Sequence, residues 1–104
     1  MSNTGVKYDE GKAPLSLIPT CALVAEARVM GFGAKKYGRF NYRGGMDWSR
    51  LIDASLRHIT AFSDGEDNDP ESGLSHLAHA RSCLGMLLDY VENNLGTDDR
   101  CKQG

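Results

Sequence analysis

Apolar residues recur at helical spacing in three stretches of the chain, and nowhere do they alternate with the period of two that a half-buried strand requires. From Thr20 to about Tyr37, the residues Leu23, Ala27, Met30, Ala34 and Tyr37 step along one face. They predict a first helix that Pro19 is suited to start and that Gly31 and Gly33 weaken. Trp48, Ile52, Ser55, Ile59 and Phe62 form a second stripe, capped by Asp47, with Asp53 and Arg57 paired at i,i+4 on the outside and a stop near Asp64 and Gly65. A third helix is expected to begin at Asp69-Pro70-Glu71, where a cap, a proline at the first helical position and a first-turn acid follow one another. It should run to about Asn94, before Gly96. The turn-rich segment GRFNYRGG at 38–45 joins the first two helices. PLSLIP at 14–19 reads as an extended lead-in anchored by Leu15, Leu17 and Ile18. Residues 1–13 read as a polar arm and residues 96–104 as a disordered tail.

The prediction is therefore one all-α domain of 104 residues, a bundle of three main helices. The apolar arc of the third helix covers well over half its wheel, more than two neighbouring helices would bury, so a homo-oligomer (dimer or tetramer) is expected to complete the bundle. Charge adds an exclusion: 12 basic against 14 acidic residues leave a net charge of −2, which recommends neither nucleic acid nor an anionic membrane as the main partner. No apolar run approaches the roughly 20 residues that span a bilayer, and the N-terminus lacks a signal-peptide core, so a cytoplasmic location is expected. Cys21, Cys83 and Cys101 are an odd set without C-x-x-C spacing, which argues against a disulfide framework or a thiolate zinc site.

The polar residues on the inner faces carry the candidate chemistry. With each helical residue advancing by about 100°, His76 shares its side with Ala80, Cys83, Leu87 and Tyr90, while Ser75, Ala78, Ser82, Gly85, Asp89 and Glu92 collect opposite. His79 lies at the margin of the same arc, beside Cys83 and Met86. In the second helix His58 shares its side with Leu51, Ala54, Ala61 and Phe62, and the two alanines leave room beside the ring. In the first helix Glu26 points with Ala22, Leu23, Val29 and Met30. An inward carboxylate needs a cation or a donor. One reading is a structural network in which Glu26 pairs with a histidine or with Arg81. The other is a divalent-metal or acid/base site inside a helical bundle, with Glu26, His58, His76 and His79 as both catalytic and metal-binding groups. Imidazole with carboxylate suits manganese, iron or zinc better than magnesium alone. The acidic turn DGEDNDPESG at 64–73 adds Glu66 and Asp69 as candidate ligands; its glycine and acids are not in the register of an EF-hand. Lys12, Lys35, Lys36, Tyr37, Arg39 and Asn41 are the candidate substrate-binding residues: cations for phosphates, a ring for stacking, an amide for a base edge or sugar. A phosphate-binding P-loop motif is absent.

Three blocks, KYDEGKAPLSLIP at 7–19, EARVMGFGAKKYGRFNYRGG at 26–45 and LIDASLRHITAFSDGEDNDPESGLSHLAHA at 51–80, resemble the phage dATP/dGTP diphosphohydrolase family, related to the all-α MazG-like nucleotide pyrophosphohydrolases. The resemblance covers roughly residues 7–88. It implies hydrolysis of a purine deoxynucleoside triphosphate between the α and β phosphates, giving monophosphate and pyrophosphate, with magnesium, manganese or another transition metal. The chain departs from the MazG-like pattern of E-x-x-E and E-x-x-D on two helices: it has His76-x-x-His79 at the comparable spacing and Asp53 with His58 on the second helix. A non-catalytic nucleotide-binding module and a triphosphohydrolase are the alternatives.

Overall fold

The computed structural model describes residues 10–102; residues 1–9 and 103–104, which include most of the expected polar arm and the end of the expected tail, lie outside the described residues. Three α-helices carry the fold: α1 (Thr20–Tyr37), α2 (Trp48–Ser63) and α3 (His76–Asn93), with short 3-10 turns at Leu15–Leu17 and Asn41–Gly44. Among the described residues there is no strand, only two isolated backbone bridges. The expected all-α bundle is what they form. Among the described residues no helix is long and apolar enough to cross a membrane.

Helix α3 lies at the centre, packed more extensively on α2 than on α1. Leu51, Cys83 and Tyr90 form the core where α2 meets α3, surrounded by Trp48, Ala54, Met86 and Leu87. Tyr90 is fully buried, its hydroxyl donating to the backbone carbonyl of Tyr42. The opposite face of α3 is covered as well: Ala78 and Ser82 are buried, and Gly85 abuts the Glu26 carboxylate of α1. A run of small residues there lets α1 approach closely.

Several elements differ from expectation. Helix α3 starts at His76, capped by Ser75, whose side chain accepts from Leu77 N. Asp69 caps a tight turn instead, accepting from Glu71 N at 3.1 Å and Ser72 N at 3.0 Å. Asp47 makes no side-chain cap for α2; Asp99 does so from the other end of the chain, accepting from Ser49 N at 2.9 Å. Of the α2 stripe, Ser55 is buried and Trp48 and Ile52 are half-buried, but Ile59 and Phe62 are exposed, and Asp53 and Arg57 form no ion pair. Leu15, Leu17 and Ile18 are exposed, so they do not anchor the lead-in.

Residues 97 and 99 of the expected tail contact the start of α2. Thr97 pairs with the start of α2, donating to Met46 O at 3.2 Å and accepting from Trp48 N at 2.9 Å, and Trp48 Nε1 donates to Leu95 O at 2.9 Å. Gly96 makes this possible: its φ is +69°, and a Cβ there would fall 2.3 Å from Met46 O.

Candidate metal and nucleotide site

The connection between α2 and α3 builds the site. It doubles back on itself, with Asn68 bridged to Ser75, Asp69 N bonded to Leu74 O at 2.8 Å and Gly73 N to Asp69 O at 2.7 Å. His76 N donates to Asp67 O at 2.9 Å, so the acidic turn is fastened to the first turn of α3. Backbone bonds thus place Glu66 and Asp69 beside His76 and opposite His58 of α2.

Three ligand-type groups converge. His58, Asp69 and His76 each offer an atom within 4.8 Å of the other two, the spacing of a cation site. His58 Nδ1 lies 2.8 Å from His76 Nδ1, and Glu66 Oε1 lies 2.6 Å from His76 Nε2. A carboxylate only accepts, so Nε2 of His76 donates to Glu66, and the two Nδ1 atoms face each other across one shared hydrogen. A carboxylate on the far nitrogen of a ligating histidine is how metal-binding imidazoles are oriented. Glu66 therefore serves His76 rather than joining the trio.

His79 completes the cluster from one side. Its ring stacks on His58 with centroids 4.6 Å apart, and its Nε2 lies 2.7 Å from Ser72 Oγ. Burial, then the neighbouring His79 and His76, push the His58 pKa below its ordinary value; burial likewise lowers that of His79. Burial opposes ionisation of Asp69, but the N–H groups of Ser72 and Glu71 with the nearby imidazoles outweigh it and hold its pKa below the usual range. The result is neutral imidazole beside ionised carboxylate, the protonation state a divalent cation requires.

A cleft of about 520 Å³ opens beside this cluster, lined by His58, Asp69 and His79 and, across it, by Lys36, Tyr37 and Asn41. Three of the six expected substrate-binding residues thus face the imidazoles. Lys36 is ion-paired with Glu71, which ties α1 to the acidic turn. Lys12 and Lys35 are exposed and line neither cleft. Arg39 belongs to a second cleft of about 550 Å³.

Glu26 does not join the histidines. Its Oε1 accepts from Arg81 Nε at 3.1 Å, its side chain keeps 26% of its exposure, and it lines the second cleft. Its wheel direction holds, but the neighbour there is α3's outer face rather than the imidazole cluster. Ser72 and Arg50 were missed as cleft or site residues. Ser72 had one signal, the D-x-x-S spacing that lets Asp69 cap its N–H. Phe40, whose ring stands among the cations of residues 34–45 as a stacking surface would, does line the cleft; it is a non-glycine residue with φ of 60°, a conformation that costs about 1–2 kcal/mol, and it carries an exposed ring.

Fold and site together define a helical domain with an imidazole–carboxylate cluster between two helices and a basic, aromatic cleft beside it. The chain belongs to the family described as dATP/dGTP diphosphohydrolase, N-terminal, whose model matches residues 2–100. It is similar to a dATP/dGTP diphosphohydrolase of Salmonella phage PMBT28, 44% identical over 97 residues, which are 93% of this chain and 33% of that protein. The chain thus spans about a third of the length of the curated relative it matches. No solved structure matches it.

Proposed function

We propose that this domain takes part in metal-dependent hydrolysis of a purine deoxynucleoside triphosphate to monophosphate and pyrophosphate. The observation that carries the reading is the pairing of His58 and His76 through their Nδ1 atoms beside Asp69, at the wall of a cleft that also holds Lys36 and Asn41. His58, His76 and Asp69 would hold a manganese, magnesium or related ion in place of the hydrogen shared between the two rings, leaving positions for phosphate oxygens. Such an ion, when bound, polarises the phosphates and acidifies water. Lys36 neutralises charge on the polyphosphate, and Asn41 binds the sugar or base edge. Ser72 Oγ accepts a hydrogen bond from the attacking water and relays its proton to neutral His79 at Nε2. Water oxygen bonds to the α phosphorus as the bond to the bridging oxygen breaks, and pyrophosphate leaves.

The span of only a third of the relative favours a second reading, in which this domain binds the nucleotide and another part of a longer protein performs the chemistry. Incubation with each deoxynucleoside triphosphate and manganese or magnesium, followed by separation of products, tests the first. Monophosphate with pyrophosphate is expected; intact triphosphate, single phosphate or no turnover overturns it. Ser72→Ala and His79→Ala should lower turnover by about 10²-fold or more while nucleotide still binds. If neither variant changes turnover, the relay is wrong.

A further inference from the structure

The segment between α1 and α2 is a wall of both clefts, yet it has little of its own to hold it. Phe40 and Tyr42 line the two clefts, and Asn41 lines the one that holds the histidines. Its regular part is a single 3-10 turn, Asn41–Gly44, flanked by Arg43 N bonded to Phe40 O at 3.0 Å and Gly45 N to Tyr42 O at 3.1 Å. A turn this short does not hold itself together. Phe40 adds strain, since a non-glycine residue keeps a left-handed φ only where its surroundings over-determine it. Contacts from outside the turn must therefore fix it.

Two consecutive residues of α3 do so by gripping the two ends of Tyr42. Tyr90, fully buried, donates its hydroxyl to the Tyr42 carbonyl, and the two rings pack with centroids 6.2 Å apart. Asp89 Oδ2 accepts from the Tyr42 hydroxyl at 2.8 Å. The same carboxylate accepts from Arg43 Nε at 3.0 Å and from Asn93 Nδ2 at 2.6 Å, so donors from the turn and from the helix meet on one group. The Tyr42 hydroxyl and then the Asn93 amide hold its pKa below the usual carboxylate range, and an ionised carboxylate makes each of these bonds charge-assisted. One bond fixes where the Tyr42 backbone lies and the other fixes where its side chain ends. Helix α3 thus carries His76 and His79 at its start and the anchor of the turn at its end, and one rigid element sets the spacing between them.

We propose that Asp89, acting through Tyr42 and Arg43, positions the turn that carries Phe40 and Asn41 into the cleft beside the histidines. The inference rests on the nucleotide reading above. Asp89 does not line either cleft, so it is a positioning residue and touches no substrate. Loss of its carboxylate frees the Tyr42 side chain and the Arg43 guanidinium together, while Tyr90 still holds the Tyr42 carbonyl. The turn then stays attached but loses its orientation, and Phe40 and Asn41 no longer face the cleft in one fixed pose. Pre-organised binding groups lose affinity in this way even when every one of them is still present.

The test is an amide NMR titration of the full chain and its variants with metal-free dGTP, well below their melting temperatures. Before any ligand is added, Asp89→Ala should shift the Phe40, Asn41 and Arg43 amides and leave those of His76 and His79 in place. It should weaken dGTP by about tenfold, the scale of a lost charge-assisted hydrogen bond. Asp89→Asn, whose amide oxygen still accepts from Tyr42, should recover most of that loss. Tyr42→Phe deletes only the hydroxyl; it should reproduce the loss and keeps the test open if Asp89→Ala does not fold. In a chain already carrying Phe40→Ala and Asn41→Ala, Asp89→Ala should cost no further affinity, a non-additivity that a general loss of stability would not produce. Unchanged dGTP affinity in Asp89→Ala and Tyr42→Phe would overturn the positioning role and leave the nucleotide reading standing. A full further loss in the Phe40→Ala, Asn41→Ala chain, or equal shifts at His76 and His79, would overturn it too. No binding of dGTP by the unmodified chain would remove the nucleotide reading and this inference together.

Discussion

At the residue scale, protonation decides what the cluster can do. His58 and His79 have pKa values lowered by folding, so between the folded and unfolded values the unfolded chain binds more protons. Their neutral forms therefore stabilise the fold fully above the ordinary histidine pKa of about 6.5, and that stability is lost as pH falls below it. Urea denaturation at pH 7.5 and at pH 5.5 should show the lower midpoint at pH 5.5, and His58→Gln should shrink the difference; equal midpoints would mean that the imidazoles are not desolvated as described. The inward direction of these rings was legible from the wheel, since His76 shares its side with Cys83 and Tyr90, and all three are buried. The place of Glu26 was not, because a wheel gives the direction of a side chain and says nothing of which face of a neighbouring helix meets it.

At the scale of elements, the three helices were readable because their apolar spacing is sustained, and their ends were readable only where the cap is local. Asn94 closes α3 in the left-handed region close to the expected position. Asp69-Pro70-Glu71 looked like a helix start because its composition matches one, yet its acid caps a turn and Ser75 starts the helix six residues later. The cap of α2 lay beyond local reading altogether, since Asp99 supplies it from the far end of the chain. That return contact rests on Gly96. Gly96→Ala should lower the Tm by at least about 4–8 °C, the shift about 1 kcal/mol produces in a domain of this size, because left-handed φ alone costs a non-glycine residue about 1–2 kcal/mol. An unchanged Tm in a thermal circular dichroism scan would show that residues 96–100 are not part of the cooperative unit.

At the scale of the whole molecule, the chain is open for its length. Its radius of gyration is 16.9 Å, against about 13 Å for a compact chain of 100 residues. Leu77, Leu84, Leu88 and Val91 leave an exposed apolar stripe along α3, with Leu88 70% exposed, and Leu56 and Ile59 of α2 add a second. Self-association over these stripes is the expected outcome: sedimentation should give a species larger than monomer at micromolar concentration, and Leu84→Asp with Leu88→Asp should return it to monomer. Monomer from the unmodified chain would assign the stripes to some other cover. The return of Thr97 to Met46 and Trp48 carries a practical consequence. It fixes the carboxyl end of the domain at one pole of the α2–α3 hairpin, while His58 sits ten residues along α2, about 15 Å towards the other. Fluorophores, affinity handles or a fused domain attached after residue 102 start from the pole remote from the imidazoles, so they are the place to tether the protein without crowding its chemistry.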